Sequence, residues 1–246
     1  PYVIGFTLAA SIASTATFVI NPGFVYQDGL SAFLHYGVSA SLGILAAFLV
    51  LTRGFLRLGE QHRALTIPEW IYHRYQSKEL RLFFAFINLL SITFVVLILV
   101  GCAILMTGLF PVTQTQALLI ILLFVFSYVL MGGTYAHAYT NTLQGVMMLI
   151  IALLLFFDGI DYFDQGILTA LHSVSEHYAS VYNPESRLYY DFISVFLSGF
   201  VVTFALMLQP HILTKVLYLR GEHDIAKFIT TTVLVGFCFS LILALG

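Results

Sequence analysis

Residues 82–110 read LFFAFINLLSITFVVLILVGCAILMTGLF, without one Asp, Glu, Lys, Arg or His. Wound as a helix at about 1.5 Å per residue, this run is about 40 Å long. That exceeds the roughly 30 Å hydrocarbon core of a bilayer. Its apolar residues occupy every face, as a lipid-embedded helix requires. A barrel strand would alternate polar and apolar positions, which this stretch does not do. Six further apolar stretches, over 3–20, 30–52, 116–130, 139–157, 192–208 and 225–245, complete seven predicted spans of an all-α polytopic membrane protein.

Composition agrees. Of 246 residues, 60% are hydrophobic and 9% charged, against about 45–50% and about 25% in soluble domains. A net charge of −2 leaves no basic surface for nucleic acid. Cys102 and Cys238 lie inside apolar runs and read as packing residues rather than a disulfide framework or a metal cluster. No His-Glu-x-x-His, no Gly-x-Ser-x-Gly and no paired carboxylates occur within the spans, so the chain does not read as an enzyme. It begins at Pro1 without a methionine or a signal peptide and stops at Gly246 inside an apolar run, which reads as an internal piece of a longer protein.

Charge placement predicts orientation. Arg53, Arg57, Arg63, Arg74, Lys78 and Arg81 follow the second span, and Lys215, Arg220 and Lys227 follow the sixth, leaving only Arg187 on the other side. By the positive-inside rule the first span starts in the cytoplasm, in a cell membrane of the bacterial inner-membrane kind. The outer segment carries Asp158, Asp161, Asp164, Glu176 and Glu185, and its Ile167, Leu168, Leu171, Val174 and Tyr178 recur at helical spacing, predicting a short amphipathic helix. His172, Glu176 and His177 on that helix read as a solvated face before they read as a metal site.

With charge nearly absent from the spans, function must rest on neutral polar groups and free backbone. The first span carries Ser11, Ser14, Thr15 and Thr17 among small residues and ends at Asn21-Pro22-Gly23. It reads either as a broken helix whose freed carbonyls hold a cation or as ordinary small-residue packing. The sixth span ends in Gln209-Pro210-His211, where proline frees a carbonyl one turn earlier. His211 reads as a helix-end residue beside Lys215. Between the fourth and fifth spans, Gly132 and Gly133 permit a tight turn, and Thr140, Asn141 and Gln144 then place three hydrogen-bonding side chains at the mouth of a span.

Four motifs in order resemble the sodium:solute symporter family, whose members carry sugars, proline, pantothenate and monocarboxylates with sodium. They are the hydroxyl-rich first span with Asn21-Pro22-Gly23 and Gly29; Thr66-Ile67-Pro68-Glu69-Trp70 with Arg74-Tyr75 and Ser77; Gly132-Gly133, Ala136, Thr140-Asn141 and Gln144; and Gln209-Pro210-His211 with Lys215. The resemblance implies a five-plus-five inverted-repeat, LeuT-like core. Residues 1–158 would form the first repeat, 159–187 an outer loop with its amphipathic helix, and 188–246 the first two helices of the second repeat. A helix before this core and three or more after it would lie outside the chain.

The same resemblance implies that the backbone carbonyls of Ala10 and Ala13 face a Na⁺ site, with Ser14 close by and the hydroxyl ligands beyond Gly246. Two carbonyls fall short of the six or so oxygens a hard cation takes, so the chain alone should bind sodium poorly. Asn141 stands where many relatives carry Asp, which favours a single coupling ion. Leu206 and Val202 replace the aromatics of proline carriers, which argues against proline. The implied solute pocket is lined by Ser14, Thr15, Thr203, Leu206 and Pro210, with Thr140, Asn141 and Gln144 as coupling or gating candidates. It suits a short monocarboxylate or small neutral solute. The expected function is secondary active, sodium-coupled uptake by alternating access across the lipid bilayer. The alternative is a transporter-like sensory module of a larger signalling protein. A heptahelical receptor fails on orientation.

Overall fold

A computed structural model describes residues 1–13, 16–62, 66–164 and 166–245. The described residues are helical or irregular, with no strand among them. Five helices are long and apolar enough to cross a membrane: α3 (Leu30–Gln61), α5 (Lys78–Leu109), α6 (Gln114–Gly133), α7 (Tyr139–Ile160) and α11 (Glu222–Leu245). Two bent pairs pass the same test together, α1 (Tyr2–Ile12) with α2 (Ala16–Asp28) and α9 (Ile193–Leu206) with α10 (Pro210–Tyr218). The bends are 75° and 69°. The seven predicted stretches are thus found, and the first and sixth are broken. Two shorter helices remain, α4 (Ile67–Tyr75) and α8 (Ile167–Val174).

The end of the first span, not its break, differs from the sequence reading. Helix α1 stops at Ile12, with Ala13 extended, whereas Asn21-Pro22-Gly23 does not end the span. Pro22 falls in the first turn of a helical segment that follows the π-helical turn Ala16–Ile20. A residue without N–H loses nothing there. The chain turns at Gly29 instead, whose φ of 68° favours glycine. A Cβ at Gly29 would stand 2.3 Å from the Tyr178 carbonyl oxygen, so the outer segment rests directly on this backbone.

By its contacts the chain divides into two compact units, Pro1–Glu60 with Thr142–Gly246, and Gln61–Asn141. In the first, α1 packs along α11, and α3 packs along α9. Glycine allows both approaches. A Cβ at Gly5 would meet the Phe228 carbonyl oxygen at 2.7 Å, and one at Gly43 the Phe200 carbonyl oxygen at 2.5 Å. In lipid such close fitting replaces water expulsion as the force between helices. Ala9, Ala13, Ala152, Phe239 and Ile242 form one buried cluster, and Val25, Ala32, Tyr189, Val195 and Leu243 another.

The second unit holds α4, α5 and α6. The Thr66 hydroxyl accepts from the Glu69 N–H and Pro68 sits in the first turn, so the Thr66-Ile67-Pro68-Glu69 motif is a helix start. Gln76 closes α4 in the left-handed conformation, and the Ser77 hydroxyl caps α5 by accepting from the Leu80 N–H. Leu97, Leu109, Leu123, Leu130 and Met131 are exposed, a surface suited to lipid or to further helices. The outer amphipathic helix is shorter than its spacing predicts. It ends at Val174, because Ser175 is extended, and Tyr178 falls in a separate turn, Glu176–Ala179.

Candidate functional site

The break of α1 defines the site. The Ala13 N–H donates to the Ala9 carbonyl at 3.0 Å, and the helix axis then turns away. Carbonyls of a last helical turn carry the negative end of the helix dipole. Ala10 and Ala13, the expected sodium-facing positions, both stand here and are buried. Gly145 of α7 lies so close that a Cβ on it would be 2.7 Å from the Cβ of Ala10. Ser14 and Thr15 lie outside the described residues. No group of three His, Cys, Asp or Glu that could hold a metal occurs among the described residues. His177 instead stands 3.4 Å from Glu185.

Before the break, α1 is bonded to three other helices. The Thr7 hydroxyl donates to the Val3 carbonyl at 2.7 Å and lies 3.4 Å from the Thr142 hydroxyl of α7. The Thr232 hydroxyl of α11 donates to the Gly5 carbonyl at 3.2 Å and to the Phe228 carbonyl at 2.9 Å. From α10, the Lys215 ammonium donates to the Thr7 carbonyl at 3.2 Å and to the Ser11 hydroxyl. The sequence reading places Lys215 in an inner loop. The structure corrects this: its side chain is folded inward, only 7% exposed. Among the described residues no carboxylate pairs with it. Its long apolar stem lets it reach α1 from a short turn.

The second break lies at Gln209, whose backbone is extended between α9 and α10. Pro210 takes the first position of α10, where a missing N–H is harmless. The Gln209 carbonyl accepts from the N–H groups of Ile212 and Leu213 at 3.0 and 2.9 Å. The proline thus starts a new helix as well as ending the old one. Helix α1 touches α10, so the two breaks belong to one neighbourhood. Of the expected solute-lining residues, Thr203 and Pro210 are half-buried and Leu206 is more open. Val202 is 57% exposed.

Helix α7 carries the gating candidates. Thr140 and Asn141 fall in the second unit, Thr140 exposed and Asn141 half-buried. Gln144 falls in the first, its amide donating to the Met148 sulfur at 3.7 Å. Besides Gly145, α7 brings the hydroxyl of Thr142 to α1, a residue that the sequence reading passed over. Its signal was present, a hydroxyl between two recognised polar positions.

On the other side of the break, α3 and α9 meet through π-helical turns, Leu34–Ser39 and Ile193–Leu197. Such turns widen the ladder and recur at functional sites. Nδ1 of His35 lies 3.0 and 3.1 Å from the carbonyls of Ser194 and Val195, and the Ser39 hydroxyl donates to the Phe196 carbonyl. The Tyr189 hydroxyl donates to that of Tyr36 at 2.9 Å. Burial pushes the Tyr189 phenol up, and its bond with Tyr36 adds to this, so it stays neutral. Ahead of α9, the Ser194 N–H donates to Asp191 at 2.8 Å and holds that carboxyl below its usual range.

Where α3 ends and α11 begins, Glu222 accepts from both Arg53, at 3.2 Å, and Arg57.

Comparison with known proteins follows this geometry. The family model described as "Sodium:solute symporter family" matches residues 1–246. A sodium/pantothenate symporter of Haemophilus influenzae is 29% identical over 219 residues, covering 85% of this chain and 43% of that protein. A sodium/pantothenate symporter of Escherichia coli K12 is 28% identical over 157 residues, 60% of this chain and 31% of that protein. The chain spans less than half the length of these curated relatives. No solved structure matches it.

Proposed function

The chain belongs to the sodium:solute symporter family, and from that premise we propose that the full-length protein takes up a small organic solute by sodium-coupled symport across the cell membrane, its first span starting on the cytoplasmic side. The observation that carries the reading is the pair of broken helices that touch one another, bent by 75° and 69°. A helix interrupted within the bilayer is tolerated where its freed backbone lines a cavity or holds an ion. Helix α1 would supply the Ala10 and Ala13 carbonyls to Na⁺, with further oxygens from helices outside this chain. Thr203, Leu206 and Pro210, with Ser14 and Thr15, would line the solute pocket. The pantothenate named for both relatives is a carboxylate, so a small organic acid is the leading solute.

Alternating access would move the first two helices of each repeat against the third and fourth. The division by contacts supports this, because α5 and α6 fall in a unit apart from both broken helices. The test is uptake of radiolabelled pantothenate and short monocarboxylates into proteoliposomes of the full-length protein, with and without an inward sodium gradient. Uptake that follows the gradient supports the proposal. Uptake that ignores sodium and follows a proton gradient would overturn the ion. Binding without uptake would overturn transport in favour of a sensory module.

A further inference from the structure

A cavity of about 540 Å³ opens between the first π-helical turn of α3 and the segment that leads into α9. That volume lies in the range of about 300–1,000 Å³ that small-molecule sites occupy. Tyr36, Tyr189 and Tyr190 line it with His35, and Ser194 and Ser198 add hydroxyls. Its walls are therefore aromatic, with several hydrogen-bonding groups. Two charged residues line it too, Arg187 and Asp191.

These two charges are not equivalent. The Asp191 carboxylate accepts from the Ser194 N–H at 2.8 Å and so serves the start of α9. Arg187 makes no ion pair among the described residues, although Glu185 is two positions away, and Glu185 stands against His177 instead. Arg187 is exposed and is the single Lys or Arg between Asp158 and Ile193. The segment around it carries Asp158, Asp161, Asp164, Glu176 and Glu185. A surface of that sign draws cations and repels anions. An anion approaching it finds one planar guanidinium, at the mouth of an aromatic cavity.

We propose that this cavity is an entry site for a small organic carboxylate, with Arg187 binding the carboxylate and the rings of Tyr36 and Tyr190 packing against the rest of the molecule. A guanidinium presents paired donors that fit a carboxylate in two-point fashion, which an ammonium cannot match. The His35 and tyrosine rings give apolar area, and the Ser198 hydroxyl, whose proton goes to the Ser194 carbonyl, keeps lone pairs that accept from an N–H or O–H of the solute. The site lies apart from Thr203, Leu206 and Pro210 and would hold solute before the breaks in α1 and α9 receive it.

The inference rests on the symport reading, and the test separates the two. Binding to the full-length protein in detergent is measured by titration calorimetry without sodium, using pantothenate and panthenol, in which an alcohol replaces the carboxylate, and lactate and lactamide. The expected result is that at least one acid binds at least tenfold more tightly than its neutral partner, that Arg187→Gln removes this preference, and that Arg187→Lys restores part of it. In proteoliposomes, Arg187→Gln should raise KM at least tenfold with kcat held within about twofold. Equal binding of acid and neutral analogue by the unaltered protein, or an unchanged preference in Arg187→Gln, overturns the entry site whatever uptake shows. Loss of sodium dependence in the unaltered protein overturns the symport reading and leaves the binding result standing.

Discussion

Replacing Gly29 with Ala tests the join between the outer end of the first broken helix and the outer segment. Gly29 has φ 68° and ψ −140°, a region that L side chains rarely enter. Holding a non-glycine residue in such a region costs about 1–3 kcal/mol. The added Cβ would also lie 2.3 Å from the Tyr178 carbonyl oxygen and 2.8 Å from its Cα, both backbone atoms that cannot swing aside as a side chain tip can. Forcing a methyl into a filled site costs about another 1–3 kcal/mol. The sum is about 2–6 kcal/mol, which reads as a clear drop in melting temperature. Gly23→Ala is the matched control. It lies in the same helical segment, and a Cβ there meets nothing within 4 Å. It should leave stability level or slightly raised, since Ala favours helix over Gly by about 1 kcal/mol. The assay is the fraction of full-length protein that stays monodisperse on size exclusion after graded heating in detergent. If Gly29→Ala and Gly23→Ala melt together, Tyr178 does not lie over Gly29 and the account of this motif is wrong.

Other consequences follow from the same contacts. Thr203→Ala should raise the solute KM severalfold in proteoliposome uptake while the sodium half-saturation moves less, because the proposal puts this residue in the solute pocket and not among the sodium ligands. Thr232→Val keeps the side-chain volume but removes the bonds to Gly5 and Phe228, and should cost about 1 kcal/mol in a thermal denaturation series. Glu222→Gln removes the partner of Arg53 and Arg57. Those pairs are exposed, so thermal stability should barely change, and any effect should vanish in high salt.

The architecture was legible because bilayer physics is severe. A run such as 82–110 has one stable form, and the same reasoning located all seven stretches. Gln209-Pro210-His211 was read as the end of the sixth span, whereas the span continues past it as a bent pair. The break of the first span was one of two readings, resting on hydroxyls and small residues. Its position at Ala13 carries no proline, while Pro22, which looks like a stop, sits harmlessly in a first helical turn. Local punctuation misleads when a π-helical turn has already altered the ladder. Gly29 was visible as a motif residue, but its reason, the Tyr178 carbonyl overhead, lies 149 positions along the chain (178 − 29) and only folding brings it there. The same distance hid the Glu222 network and Thr142. Lys215 was misplaced for a different reason. Counting charges by stretch assigns a lysine to the loop it starts from, whereas its stem carries the ammonium several ångströms into the protein.

Lys215 also joins the two broken helices, and that has a measurable consequence. Its ammonium reaches from α10 to the Thr7 carbonyl and the Ser11 hydroxyl of α1. The Ser11 hydroxyl in turn donates to the Thr7 carbonyl at 2.8 Å. The half of the first span before its break and the half of the sixth after its break are therefore bonded to each other as well as packed. Removing the ammonium alone relieves the burial of a charge and sacrifices its bonds, so the single effect of Lys215→Met has no fixed sign. The coupling does have one. If the bond to Ser11 stabilises the pair, Ser11→Ala costs about 1.5–3 kcal/mol while Lys215 is present and much less once it is Met. A double-mutant cycle on melting temperature of the full-length protein should then give an interaction energy of about 0.5–3 kcal/mol. Running the same cycle on uptake rate asks whether the bond persists through transport. Coupling in stability without coupling in rate means that these halves travel together. Coupling in both means that the bond must break for the solute to leave. Additive effects in the melting cycle would refute the link, and the two halves would then be free to move apart.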